Sequence, residues 1–190
     1  MHNLTVVIVS SSLADRSRSR MAAEYAGECL LAHGVKVEWI DLRNHTVLAY
    51  PQSENDPEMI QLVQQFSAAD GWVLATPVYN WGPSGVLTNF LHYVLSDERE
   101  HRYCPFLILG GAGGLRSYLA LDSLGRTLLN EIWAVQVGPS TLAAGTLADR
   151  EAGALDPELQ QRIQRATTAL VYFAAASSTL RSGLPPAGAG

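Results

Sequence analysis

The sequence predicts an α/β fold: a doubly wound, five-stranded parallel sheet in the order 2-1-3-4-5, with helices on both faces. Three observations predict it. Apolar runs of strand length alternate with segments of helical period, the pattern of a parallel sheet built from crossover units. The runs at residues 4–9 and 106–109 contain almost no polar residue, as strands buried on both faces require. Strands one, three and four each end in a polar or glycine-rich stretch that opens a helix, where an open α/β sheet holds its ligands. Five strands in 190 residues fit this order better than a six-stranded dinucleotide fold.

The elements follow in order. After the first strand, residues 10–20 are rich in serine and arginine. Met21, Ala22, Tyr25, Ala26, Cys29 and Leu30 then recur at helical spacing, and the helix should stop near His33, with Gly34 as a left-handed cap. Residues 35–42 alternate Val35, Val37 and Trp39 with Lys36 and Glu38, a strand nearer the sheet edge. Residues 43–57 read as a loop, and Ile60, Leu62, Val63 and Phe66 mark a short helix over 58–69. The third strand spans 72–75, and the helix over 84–95 has Pro83 near its first position. A charged, exposed connection is expected over 97–102. After the fourth strand come a helix over 115–130 and a fifth strand over 133–137, then a long Ala/Gly-rich connection over 138–156 of no assigned structure. A final helix runs from Pro157 to near Leu180, with Leu159, Ile163, Ala166, Leu170 and Phe173 inward and Asp156 as its N-cap. Residues 1–181 form a single domain, and 182–190 are expected to be a disordered tail.

Composition narrows the function classes. Nearly half the chain is apolar and its net charge is −5, so there is no basic stripe for nucleic acid and no polybasic segment for a membrane surface. No apolar stretch approaches the ~20 residues of a membrane helix. Cys29 and Cys104 stand far apart and read as two free thiols in a reducing compartment, so the expected location is the cytoplasm. The histidines lack a partner at metal-ligand spacing, and no serine lies in a nucleophile elbow, so neither a metal site nor a hydrolase nucleophile is expected.

Three loops carry the chemistry, and in the predicted strand order they converge on one rim. The first offers Ser10, Ser11, Ser12, Ser17 and Ser19 among Arg16, Arg18 and Arg20 at a helix N-terminus, which favours a phosphate seat over a plain serine N-cap. It lacks both the triphosphate-binding lysine loop and the dinucleotide glycine fingerprint. The second is Thr76-Pro77-Val78-Tyr79-Asn80-Trp81. On residue types alone it suits a flat, heteroatom-edged ligand such as a flavin as well as it suits an ordinary loop covering the sheet edge. The third, residues 110–114, is nearly all glycine, which leaves backbone N–H groups accessible. Three such loops on one rim favour a flavin cradle.

These residues carry a family resemblance. Thr76-Pro77-Val78-Tyr79-Asn80, followed by Ser84-Gly85-Val86-Leu87-Thr88-Asn89, resembles the Thr-Pro-x-Tyr-Asn turn and Pro-Gly-x-Leu-Lys-Asn helix start of the NAD(P)H-dependent FMN reductases, flavodoxin-like flavoproteins. Residues 11–19 are similar to that family's phosphate loop, Gly-Ser-Leu-Arg-x-x-Ser-x-Asn. The chain departs from the pattern at Ser11 for glycine, Ala14 for arginine, Ser19 for asparagine, Ser84 for proline and Thr88 for lysine; Arg16 or Arg18 would compensate for the arginine lost at 14. The resemblance implies FMN as cofactor and NADPH or NADH as electron donor. Ser12, Ser17, Arg18 and Ser19 would hold the phosphate, and Pro77, Val78, Tyr79, Asn80, Trp81, Gly111, Ala112 and Gly113 would flank the isoalloxazine ring. It further implies hydride transfer to a flavin, quinone or similar small-molecule acceptor, no dedicated catalytic side chain, and a homodimer or homotetramer. The alternatives are an FMN-binding electron carrier without reductase activity, and a scaffold that has lost flavin.

Overall fold

The first strand, β1 (Thr5–Ser10), shows how one apolar run serves two cores. In the computed structural model, which describes residues 4–95 and 103–183, Val7 and Val9 enter one apolar cluster while Val6 and Ile8 enter another. Side chains alternate across a strand, so an uninterrupted β-branched run covers both faces of a sheet. Parallel to β1 lie β2 (Lys36–Asp41) on one side and β3 (Gly71–Tyr79) on the other. A two-residue strand, β4 (Gly82–Pro83), folds back antiparallel on the end of β3. Beyond β3 comes β5 (Pro105–Ala112).

The fifth lane of the sheet is interrupted. The sequence places one strand over 133–137, but β6 (Val135–Gln136) and β7 (Thr141–Ala144) both pair with β5, separated by a break at Gly138, whose φ is +76°. The order 2-1-3-4-5 therefore holds by lanes, with β4 and β7 as additions. Trp133 is the left-handed C-cap of the preceding helix (φ +54°) rather than a strand residue.

One face carries α1 (Arg18–Ala32) and α5 (Pro157–Gly183); the other carries α2 (Pro57–Ser67), α3 (Gly85–Val94) and α4 (Asp122–Ile132). The helix expected over 115–130 is a 3-10 segment, Leu115–Leu121, leading into α4. Pro83 belongs to β4, two residues ahead of α3, and Ser84 is the N-cap. The buried stripe of α1 is small (Ala22, Ala23, Ala26, Gly27), which lets it lie close on the sheet, with Trp39 and Ile8 against Gly27. Phe173 is half exposed, while Ala174 and Ser177 face inward. The predicted connection over 138–156 is partly ordered: besides β7 it holds a hairpin of β8 (Ala148–Asp149) and β9 (Ala154–Leu155). The charged segment expected over 97–102 and the tail beyond residue 183 lie outside the described residues, whereas 182 and 183 are helical. Both cysteines are free. Among the described residues, no helix is long and apolar enough to cross a membrane.

An ion pair ties α1 to the end of β2. Arg20 Nη2 lies 2.7 Å from Asp41 Oδ1, and Arg43 approaches Asp41 Oδ2 at 3.5 Å. Burial pushes the Asp41 carboxyl up, but the Arg20 hydrogen bond, the Arg43 N–H and both arginine charges outweigh it and hold the carboxyl below its ordinary value. A lowered pKa contributes stability that is full above the unfolded value, about 4, and is lost as pH falls through the folded value. Thermal melts of the wild type and Asp41→Asn from neutral pH to about pH 3 should therefore converge at the acid end; a pH-independent gap would rule the pair out as its source.

Candidate cofactor site

The carboxyl ends of β1, β3 and β5 are adjacent, and their loops enclose an open cleft of about 160 Å³. It is lined by Ser12, Ala14, Arg16, Ser17 and Arg18 from the first loop, by Pro77, Val78 and Tyr79 from the second, and by Gly111, Ala112 and Gly113 from the third. Arg150, from the tip of the β8–β9 hairpin, completes it. A roomier apolar cavity of about 720 Å³ lies between residues 137–142 and α5 and shares no lining residue with the three loops.

The first loop is built around the start of α1. Ser17 is the N-cap: its Oγ accepts from Arg20 N–H at 3.4 Å and pairs with Ser19 Oγ at 2.9 Å. With Ser19 as donor in that pair, the Ser17 hydroxyl keeps its own proton for a ligand. Ser19 is fully buried behind Ser17 and does not reach the cleft, unlike its expected place on the phosphate. The Arg18 side chain reaches the β8–β9 hairpin, donating from Nε to Ala148 O at 3.0 Å. Arg16 is exposed and, among the described residues, has no ion-pair partner. Together these groups present hydroxyls, the free N–H groups of a helix N-terminus and a guanidinium to one point, which suits an anion.

The second loop is a tight hairpin between β3 and β4, with Asn80 and Trp81 at its tip. Both have positive φ, 49° and 64°, the conformation that a right-twisted two-residue hairpin demands. For tryptophan that backbone is strained. The hairpin turns Asn80 and Trp81 outward, so neither lines the cleft, although the sequence put both beside the ring; Tyr79 remains at the edge, more than half exposed.

The third loop begins inside the sheet, because Gly110 and Gly111 immediately precede Ala112, the last residue of β5, and both are buried. At Gly111 a Cβ would stand 2.5 Å from Ser19 N, so glycine here lets α1 cross the strand. Gly113 has open space around it, leaving its backbone accessible.

Beneath the cleft runs a buried hydroxyl chain that sequence reading did not find. Ser84 N–H donates to Thr76 Oγ1 at 2.9 Å, Ser84 Oγ–H to Ser11 Oγ at 2.8 Å, and Ser11 Oγ–H to Ala75 O at 3.0 Å. It joins the ends of β1 and β3 to the N-cap of α3. Arg150 was missed too, because a lone arginine in an Ala/Gly-rich stretch carries no local signal.

The family described as NADPH-dependent FMN reductase matches residues 4–149, which include all three loops. The chain belongs to that family. It is 31% identical over 130 residues to an NADPH azoreductase from a Bacillus species, covering 66% of this chain and 68% of that one. It is 30% identical over 136 residues to an FMN reductase (NADPH) of Escherichia coli, covering 70% of each. A solved oxidoreductase from Corynebacterium diphtheriae superposes with a TM-score of 0.75 at 26% identity, over 93% of this chain and 99% of that one. As a member of this reductase family, the protein is an FMN-dependent, NAD(P)H-dependent oxidoreductase with a small-molecule acceptor. The electron-carrier alternative gives way to an enzyme.

Proposed function

We propose that the cleft seats FMN, with its phosphate at the start of α1 and its ring between residues 77–79 and 111–113. Carrying this reading is the meeting of a hydroxyl-lined helix N-terminus with a Gly111 that admits no Cβ and an open Gly113, all in one cleft. The donor set fits the cofactor: the Ser12 and Ser17 hydroxyls and the first N–H groups of α1 would grip a dianionic phosphate. Pro77 and the glycine backbone would lie against a flat ring without side chains in the way. When bound, FMN supplies hydride acceptance and donation. The chain's part is to orient two stacked rings and to offer backbone N–H groups to the charge that develops at the ring edge.

The acceptor is read as a flat, electron-poor molecule: a free flavin, a quinone or an azo compound. Exposed Tyr79 and Trp81 offer apolar faces at the rim. They also suit a contact between copies of the chain, in keeping with a homodimer or homotetramer. Two free thiols suit the cytoplasm. Purified protein mixed anaerobically with FMN and NADPH or NADH should bind the flavin and bleach its absorbance rapidly. Binding without bleaching would point to a carrier, and absence of binding would overturn the seat.

A further inference from the structure

We infer that Arg150, on the β8–β9 hairpin, is a phosphate-recognising residue of this enzyme and takes the place of the arginine that the first loop lacks at position 14. The inference rests on reading the cleft as the seat of the FMN phosphate. Arg150 lines the same cleft as Ser12, Arg16 and Ser17, although 132 or more residues of chain separate them.

The hairpin is held where it stands. Arg18, the first residue of α1, donates from Nε to Ala148 O at 3.0 Å, directly coupling the phosphate loop to the first hairpin strand. Ala148 is fully buried in the core cluster shared by α1 and α5. At the hairpin's base, Asp156 N–H donates to Leu147 O at 2.9 Å. Asp149 folds the tip by accepting from Glu151 N–H at 2.9 Å and Ala152 N–H at 3.2 Å, and Gly153 closes the turn with a φ of +64°.

Charge accounting at the rim points the same way. Asp41 is committed to Arg20, Asp15 is 3.6 Å from Arg43, and the Asp149 carboxylate is engaged by its own turn. The Arg18 guanidinium is directed to the hairpin. Arg16, Arg18 and Arg150 line the cleft without an ion-pair partner among the described residues, and of the three Arg18 is engaged by a backbone carbonyl, which leaves Arg16 and Arg150 for an anion. They come from separate elements, the first loop and the β8–β9 hairpin, in a chain whose net charge of −5 gives no general attraction for an anion. Ala14, which also lines the cleft, carries only a methyl group where the family's arginine would stand.

The test compares FMN with riboflavin, which has the same ring and no phosphate, by quenching of flavin fluorescence on the full-length apoprotein. Wild type should prefer FMN strongly. Arg150→Ala should weaken FMN about tenfold at low salt, leave riboflavin unchanged, and flatten the salt dependence of FMN binding; Arg150→Lys should recover part of the loss. Ser17→Ala, run alongside, reports on the seat itself. Should Ser17→Ala weaken FMN while Arg150→Ala does not, the arginine assignment fails and the seat stands. Equal affinity of the wild type for the two flavins would overturn the seat and the assignment together. A loss confined to the KM for NADPH against NADH would move Arg150 to the 2′-phosphate on the adenosine ribose of NADPH and overturn its assignment to FMN.

Discussion

Gly111→Ala is expected to destabilise the fold by about 3 kcal/mol and to remove most FMN affinity. The added Cβ would sit 2.5 Å from Ser19 N, 3.0 Å from Ser19 Cβ and 3.2 Å from Ser19 Cα, so it meets backbone at the first turn of a helix. Relief requires α1 to lift from β5, and the first turn of α1 holds the Ser17 cap, the Ser17–Ser19 hydroxyl pair and the Arg18 tie to the hairpin. Stability and cofactor affinity should fall together for that reason. Gly110→Ala is the control. Its Cβ would be 2.5 Å from Leu121 Cδ1 and 2.7 Å from Leu142 Cδ1, both ends of rotatable side chains, so the cost should be about 1 kcal/mol. Denaturant unfolding and FMN titration of the two variants make the comparison. If the variants prove equally mild, the contact with β5 does not set the position of α1.

The parts of this architecture legible in the chain were those with a period or a strong punctuator. Residues 4–9 are apolar throughout because β1 is central and doubly covered, and Val35, Val37 and Trp39 alternate because β2 is at the edge. The ends of β3 and β5 were harder to read. Thr76, Pro77, Gly110 and Gly111 look like loop residues, yet they remain in strand register because the backbone ladder between β3 and β5 continues through them. Trp133 resembles the start of a buried strand, but Tyr103, itself at positive φ, donates its N–H to Trp133 O, and that link lies 30 residues back in sequence. The site divides the same way. Nine of the twelve expected residues line the cleft, since motif and strand end coincide there. Asn80 and Trp81 are turned outward by a hairpin twist that residue types do not reveal, and Arg150 is brought in by tertiary contacts alone.

Ser84→Ala should cost about 2 kcal/mol, more than an exposed helix cap alone. Ser84 caps α3 by accepting from Leu87 N–H, and the same hydroxyl donates to Ser11 Oγ in a setting where both residues are almost wholly buried. Removing it leaves an orphan donor at the helix start and deprives Ser11 Oγ of its partner, out of reach of water. Positions 11 and 84 are both departures from the motifs that the chain resembles, which carry glycine and proline there. Their hydroxyls lie 2.8 Å apart, so each departure supplies the other's hydrogen bond. The two substitutions should therefore be coupled. Ser11→Ala removes the acceptor for Ser84 and the donor to Ala75 O, and the double variant should be about 1 kcal/mol more stable than the sum of the single losses predicts. Thermal and denaturant unfolding of the four proteins in the cycle measures this directly. Additive losses would mean that the two serines act independently and that the hydroxyl chain ties α3 to β3 through Thr76 but not to β1.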